Sequence, residues 1–209
     1  GCEKIVRYAF DYAVLNNRKK VSCFSKDNIM KFSDGIFHQV FDEIAKQYPQ
    51  IKNEHYIVDI GTARLATKPE IFDVIVTSNL FGDIISDEAS VLSGSLGLLP
   101  SASVGNQVAL FEPIHGSYPQ AKGKDIANPM GSILSAAMLL DHFGLTAEAA
   151  IVREAADWCL SNKFVSKDID PINSYSTSVI GDLISEYIER HISGEGHVHH
   201  ERLHKSTII

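Results

Sequence analysis

Residues 72–90 read FDVIVTSNLFGDIISDEAS, and this stretch decides the fold class. Phe72 to Thr77 is apolar except for Asp73, the composition expected of a strand whose sheet is covered on both faces. Asn79 stands where an N-cap is wanted. From it, helical spacing runs to about Leu92, where Gly94, Gly97 and Pro100 interrupt the pattern. A buried strand feeding directly into a helix is the building unit of an α/β protein.

The alternation extends upstream. Residues 3–17 have amphipathic helical spacing through Ile5, Tyr8, Ala9, Tyr12 and Ala13, and KKVSCFS (19–25) reads as a strand. Helical spacing returns over 28–48, HYIVDI (55–60) is again strand-like, and Ala63–Ala66 is a short helical stretch. Downstream, Ser101–Gly105 is small and loop-like and marks the expected domain boundary. QVALFEPIHGS (107–117) places a short strand before a turn-rich loop ending at Asn128 and Pro129, a proline suited to a first helical turn. Three helices are then predicted over 130–143, 146–162 and 177–191, the last with Ser174, Ser176 and Thr177 as cap candidates. The expected division is therefore 1–100, 101–192 and a flexible tail, 193–209.

Composition narrows the function classes. Of 209 residues, 44% are hydrophobic and 22% charged, a globular balance, and the net charge of -7 without a basic cluster argues against nucleic acid as a partner. No apolar run approaches the roughly 20 residues of a membrane span, and the start GCEKIVRYAF is not a signal peptide. Three scattered cysteines suit neither a disulfide framework nor a CxxC metal site, so a cytoplasmic protein is expected. The sequence opens on Gly1 straight into a periodic pattern, with no cap or initiating Met before it, and is expected to be cut rather than begun. His197, His199, His200 and His204 crowd the tail, but their spacing matches no structural zinc site, and no function is assigned to them.

The chemistry lies in carboxylates. Asp83 and Asp87 are four apart, on one face of the predicted helix, where like charges repel by about 0.2–0.5 kcal/mol unless a cation relieves them. Taken alone, Asp83 could equally complement the helix N-terminus while Asp87 and Glu88 face solvent. Asp59, ending a strand, adds a third carboxylate, and such an oxygen set suits Mg²⁺ or Mn²⁺. No imidazole or thiolate cluster is visible in the folded body to argue for zinc or copper. Lys26, directly after a strand, is a second candidate for the same crevice, or else a surface lysine.

NLFGDIISDEASVLSGSLGLLPSAS (79–103) and FEPIHGSYPQAKGKDIANP (111–129) resemble the paired signatures of the isocitrate and isopropylmalate dehydrogenase family, and the likeness runs from residue 1 to about 192. DEAS and LPSAS favour the isopropylmalate branch. The resemblance implies an incomplete two-domain fold of that family, with residues 1 to about 100 in the smaller, dimer-forming domain and the remainder in the nucleotide-binding domain. It implies NAD-linked, metal-dependent oxidative decarboxylation of 3-isopropylmalate, a step of leucine biosynthesis, by a homodimer. Tartrate, malate or homoisocitrate as substrate, or a non-catalytic dimerising paralogue, are the alternatives.

By position, the resemblance assigns Asp83 and Asp87 of one chain and Asp59 of the partner to the metal, Lys26 to the substrate hydroxyl as base, and Asn28 to the substrate and nicotinamide. His115, Gly116 and Ser117 match the adenosine and phosphate loop, and Ala127 and Asn128 the adenine contacts. There is no GxGxxG fingerprint, which argues against a Rossmann domain but not against NAD. Gln120 stands where most NAD-using members carry an acidic residue, and Lys122 and Lys124 are close in sequence, which loosens the preference for NAD over NADP.

Overall fold

A computed structural model describes residues 1–193 and divides them into two compact units, the first ending at Leu92 and the second beginning at Ser93. The tail histidines lie outside the described residues.

The first unit contains α1 (Cys2–Leu15), β1 (Lys20–Ser25), α2 (Ser33–Ala45), β2 (Lys52–Ile57), α3 (Val58–Thr67), β3 (Val74–Thr77) and α4 (Asn79–Ser93). The three strands are parallel in the order β2-β1-β3. Successive side chains of a strand point to opposite faces, and the central β1 uses both. Val21 and Cys23 join Val6, Phe10, Ala13 and Phe41 of α1 and α2, while Phe24 joins Leu65 and Ile85 of α3 and α4. A fully buried side chain such as Phe10 contributes roughly 1.5–3 kcal/mol. Helix α3 can lie against β1 only because Gly61 has no side chain, since a Cβ there would stand 2.6 Å from the Phe24 ring.

The second unit contains a hairpin, β4 (Pro100–Val104) with β5 (Ala109–Pro113), and three helices, α5 (Met130–His142), α6 (Thr146–Ser161) and α7 (Thr177–Ser193). Its core joins Met130, Ala155, Cys159, Phe164, Ile180 and Leu183. No helix among the described residues is long and apolar enough to cross a membrane.

Three sequence expectations are corrected. Residues 101–104 are not a loop: Pro100–Val104 pairs with Ala109–Pro113, so a hydrogen-bonded partner, not a side-chain pattern, makes the strand. The expected helix over 28–48 begins only at Ser33, because the Ile29 and Met30 amides both return to the Lys26 carbonyl and close a turn. β2 ends at Ile57, which moves Asp59 from a strand end into the first turn of α3.

Candidate functional site

In the first unit, Lys26 Nζ lies 3.0 Å from Asp59 Oδ1. Lys26 follows β1 and its backbone N–H donates to Asp34 Oδ2 at 2.7 Å, which anchors the turn that carries it. Asp59 is exposed, and a hydrogen bond from Lys26, reinforced by amides at the start of α3, holds its carboxyl below the usual range. Asp83 and Asp87 are both exposed on α4. Leu80, Ile84 and Val91 are also exposed, so apolar side chains stand among the acidic ones on the exposed side of α4. Among the described residues, the ligand atoms of Asp59 do not gather with those of Asp83 and Asp87. Asn28 is exposed within the turn after Lys26.

In the second unit, a cavity of about 370 Å³ is lined in part by His115, Gly116, Ser117, Ala127 and Asn128. Gln120 is exposed on the 3₁₀ turn Pro119–Ala121 and is not among the lining residues. The cavity floor is tied together by Asp168. Its carboxylate accepts hydrogen bonds from Ser166 Oγ at 2.6 Å, from Asn128 Nδ2 at 3.0 Å and from Ser95 Oγ. Burial acts to raise the Asp168 pKa, but these donors outweigh it and hold the carboxyl below the ordinary range. Asn128 Oδ1 in turn accepts from the Met130 N–H at 3.0 Å, fixing the amide at the start of α5. The far side of the loop is held by Asp125, which accepts from the Ser178 N–H at 3.0 Å, while Ser176, one of the cap candidates in the sequence, accepts from the Val179 N–H at 3.4 Å, so both cap α7.

The isocitrate/isopropylmalate dehydrogenase family model matches residues 1–184. The chain belongs to this family. Among relatives, it is 68% identical over 155 residues to isocitrate dehydrogenase [NADP] of Rickettsia felis, covering 74% of this chain and 32% of that protein. It is 52% identical over 194 residues to homoisocitrate dehydrogenase of Methanocaldococcus jannaschii (93% and 55% covered). With 3-isopropylmalate dehydrogenase of Bacteroides fragilis, identity is 42% over 190 residues (90% and 53%). The crystal structure of isocitrate dehydrogenase from Methylococcus capsulatus superposes with a TM-score of 0.87 at 40% identity, covering 90% of this chain and 56% of that one. The chain thus spans between about a third and just over half the length of these relatives. The isopropylmalate branch that DEAS and LPSAS suggested is not singled out, because isocitrate and homoisocitrate relatives match at higher identity.

Two features of this family member escaped the sequence. Asp168 and Ser95 reach the cavity from segments 73 residues apart, so no local motif announces them. The second overturns the expectation that the folded body holds no imidazole cluster: Asp27, His38 and His55 place one ligand atom each within 4.8 Å of one another. Cys23 and Cys159 are free but buried, and burial alone pushes the Cys159 thiol up to about 12, which leaves it inert as a nucleophile.

Proposed function

We propose that this chain carries the metal-binding and cofactor-binding part of a β-decarboxylating dehydrogenase that oxidises a small 2-hydroxy acid in a homodimer. The observation that carries the proposal is the Lys26–Asp59 contact of 3.0 Å, which joins a cation able to move a proton to a carboxylate able to hold a divalent ion.

In this reading Asp59 of one chain and Asp83 and Asp87 of its partner hold Mg²⁺ or Mn²⁺. The donor set fits, being three exposed carboxylates without soft ligands. A metal held there would supply Lewis-acid polarisation of the substrate carbonyl, and a bound dinucleotide would serve as the hydride acceptor. Lys26, once it has released its own proton, takes the hydroxyl proton as a neutral amine, and Asn28 orients the substrate beside it. His115, Gly116, Ser117, Ala127 and Asn128 seat the adenosine end of the cofactor. The exposed apolar side chains of Leu80, Ile84 and Val91 on α4 support a partner chain covering this face, which would bring the carboxylates together. The free cysteines suit a cytoplasmic setting.

For the finer assignment, isocitrate with NADP stands first, supported by the Rickettsia relatives and by the lack of a carboxylate at Gln120. Isopropylmalate with NAD stands second, favoured by DEAS and LPSAS. The experiment is to join this chain to the amino-terminal portion expected from the resemblance and assay isocitrate, homoisocitrate, isopropylmalate, tartrate and malate with Mn²⁺ and each cofactor. Turnover of one of them that is lost in Asp83→Asn is expected. No metal-dependent turnover of any would refute the proposal.

A further inference from the structure

We propose that Asp27, His38 and His55 form a second metal site, selective for a borderline transition dication of the zinc class and distinct from the carboxylate set. The three ligands come from three elements of the first unit: Asp27 from the turn after β1, His38 from α2 and His55 from β2. Asp27 Oδ2 lies 2.6 Å from His38 Nδ1, and Asp27 Oδ1 lies 3.9 Å from His55 Nε2. Ligands at about 2.0–2.1 Å from a tetrahedral ion stand roughly 3.3 Å apart. The present separations bracket that value, and the two rings must turn before both can face one ion.

The donor chemistry sets the selectivity. Two imidazoles and one carboxylate favour Zn²⁺, Co²⁺, Ni²⁺ or Cu²⁺ over Mg²⁺, whose preference is for oxygen. All three side chains are half-buried, between 18% and 28% exposed, which shields the site while leaving a route for the ion. The groups behind them are also suited. Asp42 Oδ2 lies 3.8 Å from His38 Nε2, too far for a hydrogen bond now but close enough to form one, and so orient a metal-bound imidazole, when the ring turns. Ser25 Oγ is hydrogen-bonded to His55 Nε2 at 2.7 Å and releases that nitrogen when an ion binds.

The His38 and His55 rings now stack with centroids 3.6 Å apart and planes 17° from parallel. Burial, followed by the neighbouring His38, lowers the His55 pKa and favours its neutral form, the form a metal binds. An ion would turn the rings out of the stack toward Asp27 and tie β1, α2 and β2 together, so binding raises stability by mass action.

The test uses the full chain with His197, His199, His200 and His204 replaced by Ala, so that tail imidazoles do not compete. Calorimetric titration with ZnCl₂ in the presence of excess Mg²⁺ is expected to show one Zn²⁺ per chain and a melting temperature that rises and is reversed by a chelator. That equivalent should weaken at least tenfold in His38→Gln and His55→Gln. Should either variant misfold by circular dichroism, Co²⁺ added to the unsubstituted rings gives the answer, since it must broaden the His38 and His55 ring proton resonances before any others. Zn²⁺ affinity unchanged in folded variants, or Co²⁺ broadening that bypasses both rings, would overturn the site and leave the cluster a hydrogen-bonded structural triad.

Discussion

A Cβ placed on Gly97 would stand 2.7 Å from Asn128 Cβ and 3.0 Å from its Nδ2, so the turn Leu96–Leu98 lies against Asn128 only because residue 97 has no side chain. Asn128 at once donates to Asp168 and accepts from the Met130 N–H, so it has little room to retreat. Gly97→Ala is expected to displace the Asn128 amide, break its bond to Asp168 and weaken dinucleotide binding several-fold. Fluorescence titration of the folded variant with NADH and NADPH checks this, and affinity equal to that of the parent chain would remove Asn128 from the cofactor site.

Removing the Asp168 charge tests the same floor from the other side. Asp168→Asn exchanges a carboxylate that accepts from Ser95, Ser166 and Asn128 for an amide that cannot accept all three. Losing one charge-assisted bond costs about 1.5–3 kcal/mol, which for a unit of this size lowers the melting temperature by several degrees. A thermal melt unaffected by the substitution would show that water replaces the carboxylate without cost.

Acid should destabilise the first unit in two steps. His55 has a pKa lowered by burial, then by His38, against the pull of Asp27 and Asp42. Below the ordinary histidine value of about 6.5 the unfolded chain therefore takes up a proton that the folded chain resists, and stability falls as pH falls. Burial acts to raise the Asp27 pKa, but the hydrogen bond from His38 and the charges of both histidines bring it below the ordinary carboxylate value. Its contribution is present above that value and lost as pH falls through the depressed folded one. A melting temperature flat above about pH 7 and falling toward pH 5 is expected, with a shallower fall in His55→Gln. Parallel curves for the two proteins would exonerate His55.

If Lys26 and Asp59 act from one chain and Asp87 from the other, inactive Lys26→Ala and Asp87→Ala subunits should complement. In a mixed dimer of the completed enzyme, one composite site keeps Lys26, Asp59 and Asp87 intact. Activity near half of the parent value per heterodimer is expected, and its absence in dimers confirmed by mass would place all of these residues in one chain.

Gln120→Asp tests cofactor choice. A carboxylate gains charge-assisted hydrogen bonds to ribose hydroxyls and repels a 2′-phosphate. The ratio of kcat/KM for NAD over NADP in the completed enzyme should therefore rise several-fold. Since Gln120 is exposed on a 3₁₀ turn outside the cavity lining, a ratio that does not move would mean that its side chain never reaches the ribose.

The sequence by itself determined the layered α/β order of the first unit and the three helices of the second, because each is written as a local periodicity: Val21, Cys23 and Phe24 alternate between the faces of a covered sheet, and Ile180, Leu183 and Ile184 recur at helical spacing. The loop from His115 to Asn128 was legible for a different reason, as a long contiguous signature of the family. What only the tertiary structure decided are features that depend on partners distant in the chain. Ser101 and Ala102 became a strand because Glu112 and Phe111 lie opposite them, not because of their side chains. Asp168 became the floor of the cavity because Ser95 and Asn128 converge on it. His55 meets His38 because parallel pairing sets it level with Cys23, on the face of β1 that α2 covers, and no spacing along the chain encodes that register.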